Sequence, residues 1–147
     1  MKTFHFNKTI DASAQKVWET LWDESTYPQW TKAFNPKGNS FLQSDWKVGG
    51  KTLFVDKEGN GMVSTIKSIK EPNEIVFEHL GEISDGVEDT SSEKVKNWAG
   101  ALEEYQLKEN NGTTTVNVRV QFGEEMEDML TTGFNIGLEE LKKLSGQ

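Results

Sequence analysis

The chain has 147 residues, with 16 Lys and Arg against 24 Asp and Glu, a formal net charge of −8 and no cysteine. This balance repels polyanions and counts against DNA, RNA or an acidic membrane surface as partners. The lack of Cys removes disulfides, thiolate metal sites and cysteine nucleophiles together. The length suits one domain, residues 1–147, with a real core. The amino terminus has no signal-peptide core, and no stretch reaches the roughly 20 apolar residues of a membrane span. A soluble, cytoplasmic protein is expected.

Thr3 to Ile10 alternates, with Phe4, Phe6 and Lys8 on one side and His5, Asn7 and Thr9 on the other, which predicts a strand. Asp11 and Ser13 offer helix-start oxygens. Ala14, Val17, Trp18, Leu21 and Trp22 then follow at helical spacing and predict an amphipathic helix. Tyr27-Pro28 interrupts it, leaving room for a short second helical turn up to Ala33.

From Asn39 short apolar segments alternate with turn signals. About six strands are predicted: around Phe41-Leu42, Thr52 to Asp56, Met62 to Ile69, Glu74 to Leu80, Ala101 to Lys108 and Thr113 to Phe122. Asn110-Asn111-Gly112 is a strong hairpin signal, because an Asn-Gly turn accepts positive φ at both central positions. Short turns between consecutive strands predict antiparallel pairing. Gly81 to Trp98 is acidic and irregular, with a short helix expected within Thr90 to Trp98, packed by Val95 and Trp98.

A long helix is predicted from Glu124 onward. Met126, Met129, Leu130, Gly133, Phe134, Gly137, Leu138, Leu141 and Leu144 share one face. Acidic residues fill its first turns, and Lys142 and Lys143 lie near its end, as the helix dipole favours. Gly133 and Gly137 either allow close approach to the sheet or leave space beneath the helix. The element order, strand, helix, short helix, about six strands, long helix, is an α+β arrangement with a helix covering one sheet face.

Ile10-Asp11-Ala12-Ser13, Lys16 to Leu21, Trp30, Trp46-Lys47-Val48-Gly49-Gly50-Lys51, Gly61 to Ile69, Pro72 to Phe77 and Gly112 to Val116 follow one another in an order that resembles the START-like, or SRPBCC, superfamily. The nearer resemblance is to its branch related to the C-terminal domain of the activator of Hsp90 ATPase. The resemblance spans Phe4 to Leu144. It implies a helix-grip fold: a curved seven-stranded antiparallel sheet around the C-terminal helix, with a cavity between them. Gly81 to Trp98 departs from the tight hairpin expected there, and is expected to border the cavity mouth.

Trp18 and Trp22 read as core, whereas Trp30 and Trp46 are placed to shape a cavity. The expected cavity residues are Trp30, Phe34, Phe54, Phe77, His79, Tyr105, Phe122, Met126, Met129 and Phe134. Apolar side chains would supply affinity, with His79 and Tyr105 orienting the ligand. His79 also reads as an ordinary satisfied histidine, and His5 more so. Two distant histidines without cysteine give no metal-ligand spacing, so neither a metal nor a cofactor is expected. Glu103, Tyr105 and Leu107 alternate on one strand face, and if that face points inward Glu103 is a buried carboxylate, for which a raised pKa is expected. In the other register Glu104 faces inward, and the residues leave the two open.

The favoured expectation is non-catalytic binding of a small apolar or aromatic molecule. The resemblance also permits a protein-interaction module with an Hsp90-like partner, although the full co-chaperone carries a further N-terminal domain. A cyclase or hydrolase would need Glu103 or His79 as its acid or base.

Overall fold

The computed structural model describes residues 1–35 and 40–146. The alternating amino-terminal run forms β1 (Lys2–Ile10). Ser13 caps α1 (Ala14–Trp22), its side chain accepting the Lys16 amide at 3.1 Å. The predicted apolar face of α1 is buried. Pro28 stands in the first turn of α2 (Tyr27–Trp30), where a missing N–H costs nothing, and one 3-10 turn follows at Lys32–Phe34.

The remaining strands are β2 (Phe41–Ser44), β3 (Lys51–Val55), β4 (Gly61–Lys70), β5 (Glu74–Ser84), β6 (Val87–Asp89), β7 (Leu102–Asn110) and β8 (Thr113–Phe122). They pair antiparallel in the order β1-β8-β7-β5-β4-β3-β2, with β6 added on β5. Asn110 pairs with Thr113 across Asn111-Gly112, whose φ angles of 54° and 80° make the predicted tight hairpin turn. Register shifts leave Leu80 of β5 unpaired opposite Val63/Ser64 and Lys67 of β4 unpaired between Ile66 and Ser68, bulges that bend a strand and increase its twist.

Among the described residues the sheet has eight strands rather than seven, and Gly81 to Trp98 is more regular than its composition predicts. β5 runs past Leu80 to Ser84, and Asp85-Gly86, at φ 49° and 79°, turns the chain back into β6. An Asp-Gly hairpin signal inside an acidic stretch accounts for the difference. The short helix expected here is α3 (Glu93–Lys96), capped by Ser92 and anchored by the fully buried Val95.

The long helix also differs at its start. A 3-10 turn occupies Glu124–Met126, and α4 runs from Glu127 to Ser145. Met126 therefore does not share the helical face predicted for it. α4 packs on β1, α1, α2 and the 3-10 turn at Lys32–Phe34. Its glycines explain the closeness. A Cβ on Gly133 would lie 2.3 Å from the Phe34 ring, and one on Gly137 would lie 2.7 Å from the Trp30 carbonyl oxygen. Gly137 admits α2 and Gly133 the 3-10 turn that follows it, rather than the sheet.

Candidate functional site

The aromatic residues near the amino terminus form a continuous packed series. Trp22 meets Tyr105 edge-on with ring centroids 4.9 Å apart, and Phe77 at 5.4 Å. Tyr27 meets Trp30 at 5.6 Å. The Trp30 indole donates to the Leu21 carbonyl at 2.9 Å, which ties α2 back to the end of α1. Trp46 takes a positive φ and lies 6.1 Å from Trp22. It remains 37% exposed, covering Trp22 from outside rather than facing a cavity.

Beneath α4 lies a cavity of about 280 Å³. Tyr27, Trp30 and Phe34 form its wall from the helical segment. Phe54, Tyr105, Val120 and Phe122 form its floor on the sheet, and α4 contributes Met129, Leu130 and Phe134. Glu103 is its one carboxylate from the sheet, and Asp56 enters from the β3–β4 turn. The Asp56 carboxylate already accepts the Glu58 and Asn60 amides at 2.9 and 3.0 Å, so it holds the turn.

Seven of the ten expected residues line this cavity: Trp30, Phe34, Phe54, Tyr105, Phe122, Met129 and Phe134. Three do not. Phe77 is fully buried behind Phe54, ring centroids 5.1 Å apart. His79 is fully buried behind the floor, between the rings of Phe54 and Phe122. Met126, displaced onto the 3-10 turn, lines an adjoining cleft of about 700 Å³ with Glu82, Ile83, Lys94 and Trp98. Phe122 and Met62 belong to both spaces. Tyr27, Val120 and Leu130 were not singled out by sequence reasoning. Leu130 lay on the predicted helix face, but nothing local marks Tyr27.

Glu103 faces inward. It pairs with Phe77 on one side and Val120 on the other, sharing the face of buried Tyr105 and Leu107. Glu104 points the other way, 3.5 Å from the Arg119 guanidinium. Period-two alternation decides between them once the register is known.

A buried polar chain holds Glu103 from behind. His79 Nε2 lies 3.0 Å from Glu103 Oε1, and the Tyr105 hydroxyl donates to Oε2 at 2.5 Å. His79 Nδ1 lies 2.7 Å from Ser64 Oγ. A carboxylate only accepts, so His79 Nε2–H donates to Glu103, while Nδ1 and the Ser64 hydroxyl share the second hydrogen bond. Ser64 is fully buried and does not line the cavity, so the Ser-His-Glu series presents no nucleophile there. What it presents is an oriented carboxylate. Burial, and then the Glu103 charge, raise the pKa of both Tyr27 and Tyr105 well above the usual phenol value. Both therefore stay protonated. Among the described residues no three His, Asp or Glu side chains gather in a metal-holding group.

A long carboxy-terminal helix held against an antiparallel sheet, with a cavity between, defines a helix-grip α+β protein. Within that class residues 11–146 match the family described as Activator of Hsp90 ATPase homolog 1-like protein, and the chain belongs to that family. Solved structures share the fold at low identity. The crystal structure of CalU16 from Micromonospora echinospora is 15% identical, with a TM-score of 0.65, covering 97% of this chain and 75% of that one. Protein NE0264 from Nitrosomonas europaea is 13% identical, with a TM-score of 0.72 and coverage of 99% and 94%. The Aha1 dimer from Colwellia psychrerythraea is 16% identical, with a TM-score of 0.67 and coverage of 97% and 95%. No curated protein matches the chain. Among the described residues no helix is long and apolar enough to cross a membrane.

Proposed function

We propose that this chain binds a small apolar or aromatic molecule, without covalent chemistry, in the cavity between sheet and α4. The observation that supports this is an aromatic-walled space of about 280 Å³ with one oriented carboxylate, Glu103, on its surface. Ligand pockets of about 300–1,000 Å³, mostly apolar with a few convergent polar groups, are the ordinary form of small-molecule sites. This cavity is at the small end, so the ligand is compact. Trp30, Phe34, Phe54, Phe122, Met129 and Phe134 supply apolar contact, and Tyr105 orients the ligand through Glu103. Phe77 and His79 act one layer behind. Met126 would contact only the part of a ligand that extends into the adjoining cleft.

A native mass spectrum of freshly purified protein tests the reading directly. A co-purifying small molecule, released on unfolding, is the expected result. If none co-purifies and aromatic compounds leave the Trp fluorescence unchanged, the binding reading fails.

Family membership supports a second reading, a protein-interaction module of Hsp90-activator type. Pull-down with an Hsp90 and an assay of its ATPase test it. A complex with stimulated turnover favours this reading, and neither complex nor stimulation removes it.

A further inference from the structure

We infer that the molecule taken into this cavity is an organic cation, an amine carried on an apolar or aromatic frame. The inference rests on the cavity being a binding site and adds the charge of its occupant. Glu103 already accepts one hydrogen bond on each carboxylate oxygen, from His79 and from Tyr105. Each oxygen keeps a second acceptor site. The side chain is 14% exposed and lines the cavity, so those sites face the space a ligand fills. An occupant that expels water takes away the remaining hydration of the carboxylate. A neutral hydrocarbon returns nothing for it, and burying a charge without a partner is costly. A protonated amine restores a charge-assisted hydrogen bond.

The walls fit the same charge. Tyr27, Trp30, Phe34, Phe54 and Tyr105 bring aromatic rings to the cavity, and ring faces attract cations. No Lys or Arg lines it among the described residues, so an anionic ligand meets Glu103 with no counter-charge from them. The phenols of Tyr27 and Tyr105 register the same field, since the Glu103 charge disfavours their ionisation. The net charge of −8 draws cations toward the protein as a whole.

Three probes with one ring system separate charge from cavity binding: 1-naphthylmethylamine, 1-naphthylmethanol and 1-naphthoate, titrated calorimetrically into the full chain at pH 7. The amine is expected to bind on the order of tenfold tighter than the alcohol, with the carboxylate weakest. Glu103→Gln should bring the amine down to the affinity of the alcohol. Equal affinities in the unaltered protein, or tightest binding of 1-naphthoate, overturn the cation assignment and leave cavity binding standing. No binding by any of the three overturns both. A folded Glu103→Gln protein that keeps the preference for the amine removes Glu103 as its source. Should that variant not fold, the ranking in the unaltered protein decides alone.

Discussion

Fully buried His79 reaches Glu103, which lines the cavity, across 3.0 Å. The histidine thus contributes to the site without touching its interior. Its other nitrogen is held by Ser64 at 2.7 Å. His79→Phe keeps a ring between Phe54 and Phe122 but strands the Ser64 hydroxyl and one Glu103 oxygen. A loss of about 1–3 kcal/mol is expected from orphaned buried polar groups, and Ser64→Ala should cost less. Urea unfolding midpoints measure both. A larger loss from Ser64→Ala than from His79→Phe would contradict the proposed order of dependence.

The buried phenols set an alkaline limit. Tyr27 and Tyr105 ionise in the folded chain well above the ordinary value of 10.0. Below pH 10 the unfolded chain holds these protons too, and the two phenols leave stability unchanged with pH. Above it the unfolded chain releases protons that the folded chain keeps, so stability falls. Each phenol contributes a slope of about 1.4 kcal/mol per pH unit. Unfolding midpoints between pH 9 and 11 should drop steeply in the unaltered protein, and by about half that phenol-dependent slope in Tyr27→Phe. An unchanged slope in the variant argues against a buried, protonated Tyr27.

Gly133 and Gly137 face different obstacles. Alanine gains about 1 kcal/mol of helix propensity at either position. At Gly137 the new methyl meets a backbone carbonyl that cannot rotate away. A net loss of about 1–3 kcal/mol is expected, as for overpacked cores. At Gly133 it meets the Phe34 ring, which can turn at the expense of the cavity wall. Thermal unfolding should rank Gly137→Ala as less stable, while Gly133→Ala should weaken binding of 1-naphthylmethylamine. Stabilisation by both substitutions contradicts the packing described.

Met129 lines the cavity but is 38% exposed. Met129→Trp adds bulk where the helix can carry it without displacing core. Stability should stay within about 0.5 kcal/mol, as for surface changes. Calorimetry with 1-naphthylmethylamine should show most of the binding lost. Undiminished affinity in the variant places the probe somewhere other than this cavity.

The amphipathic helices, the Asn111-Gly112 hairpin and the antiparallel order were legible because each rests on local periodicity or a turn residue. Most of the aromatic lining was legible for a related reason. Trp30, Phe34 and Phe134 lie beside the proline break or on the buried helix face, and Phe122 ends an alternating strand. β6 was missed because its Asp85-Gly86 turn is embedded in acidic residues that mask the short paired strand. Met126 was misplaced because a 3-10 turn and an α-helix share the same composition at a helix start.

By itself the sequence determined the element order, the face of each long element and the family pattern, since these depend on spacing along one chain. Tertiary structure alone decided that Glu103 and not Glu104 enters the cavity, because a one-residue change of register reverses every side chain on a strand. It alone brought Ser64, His79, Glu103 and Tyr105, carried on three strands, into one hydrogen-bonded series. It alone turned Gly133 and Gly137 toward Phe34 and Trp30, since which neighbour fills the gap beside a glycine is set by packing between distant segments.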